Sequence, residues 1–137
     1  AVGWFADINA LTPEAVVARV REHLETCAIN AGHDIFVAGD ASDVALGYVS
    51  VYWLPYILLP GPEGFVAELF VHPDAAGQGI GTRLLEEVIA EAKRRGCWRL
   101  SVVNMRHRES YQRGFYASRG WQERHGAALF IYELGQG

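Results

Sequence analysis

A glycine-rich segment between two regular elements is the part of this sequence best suited to bind an anion. Gly77, Gly79 and Gly81 alternate there with other residues, after a strand-like run that Pro73 ends and at the start of a helix-like run. Glycine permits unusual backbone angles and close approach of a ligand. The first amides of a helix have no partners within the helix and lie at the positive end of its dipole. The segment therefore predicts a diphosphate site that needs no basic side chain.

The spacing of this segment separates it from two better-known phosphate loops. A dinucleotide-binding fingerprint would need a third glycine where Thr82 stands. A nucleoside-triphosphate loop would need a Gly-Lys-Thr sequence, which does not follow here. A tight glycine-rich turn without any ligand would use the same residues, and that interpretation stays open.

The elements before this segment are predicted to be a helix and several strands. Residues 12–14, Thr-Pro-Glu, form a typical helix start, and apolar residues recur at helical spacing as far as Cys27. A short opening strand is expected within residues 1–8. Further strands, the first two joined by a turn at 39–43, are predicted over residues 34–38, 44–53 and 64–72.

The elements after it are predicted to be two helices and three strands. An apolar stripe along residues 79–95 predicts a helix that ends at Gly96, followed by a strand over 97–103. A second helix is predicted over 108–119 and ends at Gly120. Two closing strands, expected to pair antiparallel, are predicted over residues 121–124 and 128–134.

This order of elements predicts an α/β fold, with an α+β mixed sheet and helices packed on it. The strand–helix–strand unit around residues 79–95 implies one parallel pair joined by a right-handed crossover. The hairpins imply antiparallel neighbours elsewhere. A length of 137 residues fits one domain over residues 1–137.

Composition and charge narrow the classes of function. Apolar residues make up 50% of the chain and charged residues 20%, which indicates a soluble globular protein. No apolar run approaches the roughly 20 residues of a membrane span, and no signal peptide is visible, so no membrane partner is expected. The net charge of −4 argues against non-specific nucleic-acid binding and is compatible with a cationic substrate.

Cysteine and histidine positions predict neither a disulfide framework nor a metal site. Cys27 and Cys97 are isolated from each other in the sequence and are expected to be small buried apolar residues, which favours a cytoplasmic location. No histidine spacing suggests metal ligands. The histidines expected to be ordinary surface or core residues are His23, His33 and His125.

Two separated motifs resemble those of the GNAT superfamily of N-acetyltransferases. The family's Arg/Gln-x-x-Gly-x-Gly/Ala motif corresponds to residues 76–81, Ala-Gly-Gln-Gly-Ile-Gly. The preceding residues 69–73, Leu-Phe-Val-His-Pro, resemble its fourth strand with the Val-x-Pro ending. Residues 115–121, Phe-Tyr-Ala-Ser-Arg-Gly-Trp, resemble its Phe-Tyr-x-x-x-Gly-Phe motif. The resemblance covers roughly residues 64–124, and the N-terminal half matches in organisation only.

The resemblance implies an enzyme that uses acetyl-CoA, with a mostly antiparallel sheet, one parallel pair splayed at the cofactor site and helices on both faces. The pantetheine arm would enter the gap between the splayed strands and pair with strand backbone. The Val71 amide could hold the developing oxyanion, and the pyrophosphate would lie on the glycine-rich segment. The residues implied to bind acetyl-CoA are Leu69, Phe70, Val71, Gly77, Gln78, Gly79, Ile80, Gly81, Thr82, Asn104 and Tyr116.

Two positions depart from the family pattern. Ala76 stands where Arg or Gln is usual, so one side-chain contact to the pyrophosphate is missing and weaker cofactor binding is expected. Glu109 stands seven residues before Tyr116, where the family often has an Asn that contacts the pantetheine. Asn104, farther upstream, is the candidate for that contact.

An amine must be neutral to attack a thioester, which predicts a general base. Deprotonating a lysine-like amine of pKa about 10.4 at pH 7 costs roughly 4.6 kcal/mol. Glu68 is the first candidate because it is the only charged residue in 65–71. Strand alternation would place it on the same face as Val66 and Phe70. A structural ion pair or a carboxylate exposed to solvent explains Glu68 as well as a catalytic base does. Further candidates, in order, are His72, His107 and Glu109.

Tyr116 is the candidate proton donor to the leaving thiolate. The resemblance implies that it lies beside the cofactor sulfur. The alternative is a core tyrosine with a satisfied hydroxyl. Gly114 supports a close approach of its helix, because a glycine inside a helix costs about 1 kcal/mol relative to alanine. Tight packing of the helix against the sheet would explain the same glycine.

The acceptor and the oligomeric state stay open. Large apolar residues cluster in the proline-rich loop 54–64, which indicates a ligand cleft, a homodimer contact or a loop folded onto its own core. The expected acceptor is a small-molecule or peptide amine. The alternative to an N-acetyltransferase is a non-catalytic module of the same fold that senses acyl-CoA or binds a partner.

Overall fold

The computed structural model describes residues 13–135 and contains one sheet flanked by helices. The helices are α1 (Pro13–Ala28), α2 (Ile80–Arg94) and α3 (Glu109–Gln112), with 3₁₀ turns at Pro73–Ala75 and Ala117–Arg119. The strands are β1 (His33–Gly39), β2 (Ala45–Leu54), β3 (Glu63–Val71) and β4 (Arg99–Val102). The opening strand predicted within residues 1–8 and the capping residue Thr12 lie outside the described residues.

The four strands form one mixed sheet in the order β1-β2-β3-β4. β2 pairs antiparallel with both β1 and β3, whereas β4 pairs parallel with β3. The connection from β3 to β4 runs through α2, the unit that the sequence predicted around residues 79–95. The predicted α/β fold with a mostly antiparallel sheet and one parallel pair is therefore confirmed.

Helix α2 covers one face of the sheet and α1 lies on the other. Apolar side chains of α2 and of the central strands form the buried core, which includes Val49, Val51, Val66, Leu84, Leu85, Val88 and Ala92. Beyond the last turn of α2, Arg95 forms a 3.0 Å ion pair with Asp34 and lies 4.8 Å from the centroid of the Trp53 ring. On the opposite face, Cys27 of α1 contacts Tyr52 of β2.

A β-bulge in β3 changes which of its side chains share a face. In the pairing of β2 with β3, Val51 lies opposite Val66. The preceding residue of β2, Ser50, lies opposite Glu68, so Ala67 is an extra residue in β3. Opposed residues share a face, and successive residues of a regular strand do not. Glu68 therefore lies on the opposite face from Val66, which corrects the prediction from simple alternation.

The helix predicted over residues 108–119 is interrupted. Only α3 and the separate 3₁₀ turn form there, because Gly114 has a φ of 68° and turns the backbone out of the helical region. Gly114 is thus not inside a helix. The inference of a close helix approach from this glycine is wrong, since its conformation already explains why glycine stands there.

The two predicted closing strands, 121–124 and 128–134, do not form among the described residues. The second segment is apolar yet exposed, with Phe130 90% exposed and Ile131 73% exposed. A strand is stable when a neighbouring strand pairs with its backbone groups, and an apolar run alone does not supply that neighbour. Within residues 13–135, no strand pairs with this segment.

The chain divides into two compact units, Ala1–Val103 and Asn104–Gly137. One domain over residues 1–137 stays a prediction, because two compact units can belong to a single domain. In the loop between β2 and β3, Ile57 is 99% exposed and Leu58 is 93% exposed. The interpretation that this loop folds onto its own core is therefore wrong for its tip. None of the helices within residues 13–135 has both the length and the apolar character of a membrane span.

Candidate active site

The parallel pairing of β3 with β4 stops halfway along β3. It runs from Glu63, opposite Arg99, to Val66, opposite Val102. The bulge at Ala67 follows directly. In the described part of the chain, residues 67–71 of β3 have no strand beside them on the β4 side, so β3 presents an open edge there.

The direction of the backbone groups along this open edge follows from the pairing with β2. The His72 amide donates to the Leu46 carbonyl at 2.7 Å. A side-chain carbon built at Gly47 would lie 2.6 Å from the Phe70 carbonyl oxygen, so that carbonyl also faces β2. Backbone groups in an antiparallel ladder alternate in direction. The amides that face the open edge are therefore those of Leu69 and Val71.

This alternation distinguishes the three strand residues predicted to bind the cofactor. The backbone of Leu69 and Val71 is available to an incoming extended chain, as the prediction requires. The backbone groups of Phe70 face β2 and are not offered at the open edge, so only the Phe70 side chain is left to contact the cofactor. The predicted oxyanion donor, the Val71 amide, lies at the end of β3, just before the glycine-rich segment.

The glycine-rich segment forms an exposed turn that leads into α2. Gly77 and Gly79 have φ angles of 80° and 76°, which only glycine adopts readily. A side-chain carbon built at either position would meet no atom within 4 Å, so the space beside the turn is open. Gly79 is the N-cap of α2, and no side chain caps the first turn. The amides of Ile80 and Gly81 thus lie at a helix start without a side-chain cap, which is where the sequence predicts the diphosphate.

The residues before this segment fix its course. His72 caps the 3₁₀ turn, and its Nδ1 accepts a hydrogen bond from the Asp74 amide at 3.1 Å. Ala75 is buried, and the Ala76 amide donates to the Pro73 carbonyl at 3.2 Å. His72, the second candidate base, therefore has one ring nitrogen engaged in holding the turn.

Glu68 lies on an exposed part of β3, on the face that we call the polar face, defined by Tyr48, Ser50, Tyr52 and Glu68. The Tyr48 hydroxyl donates to Glu68 Oε2 at 2.6 Å. Burial and the neighbouring carboxylate raise the pKa of Tyr48 well above its usual range, so this phenol stays protonated. The predicted shared face with Phe70 is correct, since Phe70 pairs with Tyr48. Tyr48 itself was not predicted, because its contact depends on strand register.

Beside this pair, the polar face carries a buried histidine. His33 Nε2 lies 2.5 Å from Ser50 Oγ, and the His33 ring stacks on Tyr52 with centroids 4.2 Å apart. Both His33 and Ser50 are buried. His33 is thus a hydrogen-bonded core residue, as expected.

Four of the predicted site residues belong to the second compact unit. The Asn104 side-chain amide donates to Ser110 Oγ at 3.0 Å. The Tyr116 ring makes edge contacts with Phe115 and Trp121, at centroid distances of 5.0 and 5.5 Å. Burial raises the pKa of Tyr116 to about 12. The other two base candidates, His107 and Glu109, are exposed.

A phenol of this pKa is a hydrogen-bond donor rather than a ready acid. A thiol such as that of a cysteine has a pKa of about 8.5. Full proton transfer from Tyr116 to such a thiolate would cost about 5 kcal/mol at 1.36 kcal/mol per unit. The prediction that Tyr116 assists a leaving thiolate is therefore best stated as donation of a hydrogen bond. For metals, no group of three or more His, Cys, Asp or Glu within the described residues could hold an ion.

Comparison with known proteins gives the family of this chain. The model of the acetyltransferase (GNAT) family matches residues 5–121. Glucosamine 6-phosphate N-acetyltransferase 1 of Oryza sativa subsp. japonica is 31% identical over 116 residues, 83% of this chain and 66% of that protein. Thialysine N-epsilon-acetyltransferase of Mus musculus is 27% identical over 92 residues, 66% of this chain and 54% of that protein. The chain thus spans less than two thirds of either relative.

Solved structures share the fold. A transcriptional regulator from Bacillus halodurans C-125 matches with a TM-score of 0.73 and 25% identity, covering 85% of this chain and 76% of that one. An aminoglycoside acetyltransferase from an uncultured soil metagenomic sample matches with a TM-score of 0.72 and 23% identity, covering 83% of this chain and 74% of that one. Because the family model extends over most of its length, the chain belongs to the acetyltransferase (GNAT) family.

Proposed function

We propose that this chain is an N-acetyltransferase that moves an acetyl group from acetyl-CoA to a primary amine by direct attack. The observation that carries the proposal is that the open edge of β3 is followed, after one 3₁₀ turn, by the uncapped, glycine-lined start of α2. Acetyl-CoA combines an amide-containing arm with a diphosphate, and these two features suit the two parts in turn. The thioester supplies the activated acetyl group.

Backbone groups carry most of the proposed cofactor site. The Leu69 and Val71 amides would bind the extended arm as an added strand does. The turn at Gly77–Gly79 and the first amides of α2 would hold the diphosphate. The Ala76 side chain has no polar group to contact the diphosphate, so the diphosphate would be bound by backbone amides. The proposal keeps four further residues as contacts to acetyl-CoA: Phe70, Gln78, Thr82 and Asn104.

The proposed chemistry assigns one task to each of three groups. Glu68 is the base that takes the proton of the acceptor amine, because it is a carboxylate on an exposed part of β3 next to the open edge. The Val71 amide stabilises the oxyanion that develops on the acetyl group. Tyr116 donates a hydrogen bond to the departing sulfur, consistent with a phenol that stays protonated at neutral pH.

The acceptor in this proposal is an amine on a small molecule or a peptide. The names of the rice and mouse relatives both describe N-acetylation of small amino compounds, and the soil protein is described as acting on aminoglycosides. The Glu68 carboxylate would attract such a cation before taking its proton. A cytoplasmic location and a homodimer complete the proposal, the latter supported by the exposed Ile57 and Leu58.

The two ends of α2 provide a matched test. Gly79 and Gly96 flank the helix with φ angles of 76° and 71°, and a side chain at either would meet no atom within 4 Å. Gly79→Glu and Gly96→Glu thus add similar strain and the same charge. We expect Gly79→Glu to lower the affinity for CoA at least about 100-fold by calorimetry, because its carboxylate would meet the diphosphate. Gly96→Glu is expected to bind like the wild type.

Two results would contradict the proposal at different levels. Equal CoA affinity in both variants would show that the diphosphate does not bind at the start of α2. Binding of acetyl-CoA without release of free CoA, across a panel of amines, would instead favour the non-catalytic sensing module. Release of CoA that depends on the added amine is the result expected for an acetyltransferase.

A further inference from the structure

Two tyrosine–glutamate hydrogen bonds occur along β3, and their surroundings differ. The Tyr48 hydroxyl donates to Glu68, and the Tyr56 hydroxyl donates to Glu63, each at 2.6 Å. Glu63 is buried and also hydrogen-bonded by the Arg99 guanidinium, so it belongs to a structural ion pair. Glu68 is exposed and lies beyond the part of β3 that pairs with β4.

The bulge at Ala67 is what brings Tyr48 and Glu68 together. Without the extra residue, Glu68 would lie on the α2 face with Val66. With it, Glu68 lies on the polar face, beside the open edge where the Leu69 and Val71 amides are available. The same distortion thus sets both the end of the parallel pairing and the side on which the carboxylate lies.

We propose that Tyr48 is a positioning residue that holds the Glu68 carboxylate in place to accept the proton of the acceptor amine. This inference rests on the proposed acetyltransferase function. Tyr48 occupies Oε2 of Glu68, which leaves Oε1 for the amine. The proton moves from the ammonium nitrogen to Oε1, the nitrogen lone pair is freed for attack on the acetyl carbon, and Tyr48 keeps its own proton.

The surroundings of Tyr48 suit a fixed donor. Its ring lies 6.1 Å from the Phe70 ring, in a cross-strand pair that restricts both side chains. Its raised pKa keeps the phenol protonated at any pH where the enzyme would work. A glutamate side chain free in solvent would sample many rotamers, so a single charge-assisted hydrogen bond restricts where its charge lies.

Other titratable groups near the polar face belong to α1, β1, β2 and the turn after β3. They are Tyr52, which interacts with Glu68, and Cys27, His33 and His72. Each already has a partner: Tyr52 contacts Cys27, His33 contacts Ser50, and His72 caps the turn before the glycine-rich segment. Tyr48 is therefore the group that donates directly to the Glu68 carboxylate.

Removing each tyrosine hydroxyl in turn provides the test. Tyr48→Phe and Tyr56→Phe both delete a phenol that donates to a glutamate on β3, but only Glu68, the partner of Tyr48, lies in the part of β3 that has the open edge. We expect Tyr48→Phe to lower kcat about tenfold and leave KM for acetyl-CoA within about twofold, since part of the 10²–10⁴-fold benefit of general-base catalysis is lost. Tyr56→Phe is expected to leave kcat within about twofold.

A double mutant separates positioning from a purely structural role. In a Glu68→Gln background, Tyr48→Phe is expected to lower kcat no further, because there is no base left to position. The same tenfold loss in both backgrounds would overturn the inference. Equal kcat values for Tyr48→Phe and Tyr56→Phe would also overturn it, provided that the unmutated protein is active. An unmutated protein that releases no CoA with any amine would overturn the proposed function and the inference with it.

Discussion

Gly47 lies on β2 directly opposite Val71, at the point where β3 leaves the sheet for the glycine-rich segment. A side-chain carbon built there would lie 2.6 Å from the Phe70 carbonyl oxygen and 3.2 Å from Val71 Cα. The first distance is about 0.8 Å short of the 3.4 Å at which ordinary contact begins. Since both obstructing atoms are backbone, Gly47→Ala requires the end of β3 to move.

The expected cost has two parts. Crowding a buried position typically lowers the free energy of unfolding by about 1–3 kcal/mol. Displacing the Val71 amide misaligns the proposed oxyanion donor, and complete loss of one such donor costs about 10²–10³ in kcat. A partial displacement is therefore expected to lower kcat about tenfold. The third contact, Ile80 Cγ2 at 3.5 Å, is not crowded, so the start of α2 and the proposed diphosphate site there should change little.

A matched control is available on the neighbouring strand. At Gly39 of β1, a side-chain carbon would meet its nearest atoms at 3.6 and 3.9 Å, which is ordinary contact. Denaturant unfolding, steady-state kinetics with an active amine, and calorimetry with CoA would compare Gly47→Ala, Gly39→Ala and the wild type. Gly47→Ala with the stability and kcat of Gly39→Ala would refute the reasoning, because it would show that β3 does not need this glycine to hold its position.

Two further predictions concern single ionisable groups. Burial acts to raise the pKa of Glu63, but hydrogen bonds from Tyr56 and Arg99 outweigh it and hold this pKa below its usual range. The ionised Glu63 therefore stabilises the fold above about pH 4.3, and this contribution is lost as the pH falls through the lower pKa of the folded state. Glu63→Gln should therefore unfold about 1–3 kcal/mol more easily at pH 7, with the difference closing in acid; a pH-independent difference in denaturant titrations would contradict this. Tyr116→Phe should reduce turnover more than CoA affinity, and because burial raises the Tyr116 pKa to about 12, the wild-type rate should show no loss from phenol ionisation below about pH 11. Equal turnover in this variant would remove Tyr116 from the mechanism.

Properties of neighbouring residues were enough to predict that the glycine-rich segment leads into a helix and where that helix ends. The observed α2, Ile80–Arg94, differs from the predicted range 79–95 by one residue at each end. Helix periodicity, a glycine before the first turn and a glycine after the last are all properties of neighbouring residues, so they can be read along the chain. The mixed sheet followed for the same reason, because a helix between two strands restricts how those strands can pair.

Partner-dependent features could not be predicted in this way. Residues 128–134 form an apolar run of the length of a strand, but no strand in the described residues pairs with it. In the helix predicted over 108–119, the positive φ of Gly114 outweighed the helical pattern around it. The strand error arose because an apolar run forms a strand only when another strand completes its hydrogen bonds. The helix error arose because the sequence does not show which backbone conformation a glycine adopts.

The sequence by itself determined that Glu68 is an isolated carboxylate in an apolar strand and that a glycine-lined helix start follows it. Only the tertiary structure decided which side of the sheet that carboxylate lies on. The deciding feature is one extra residue, Ala67, which exists only relative to the register of β2. Strand periodicity is two, so a single inserted residue moves Glu68 from the face beneath α2 to the face where Tyr48 donates to it.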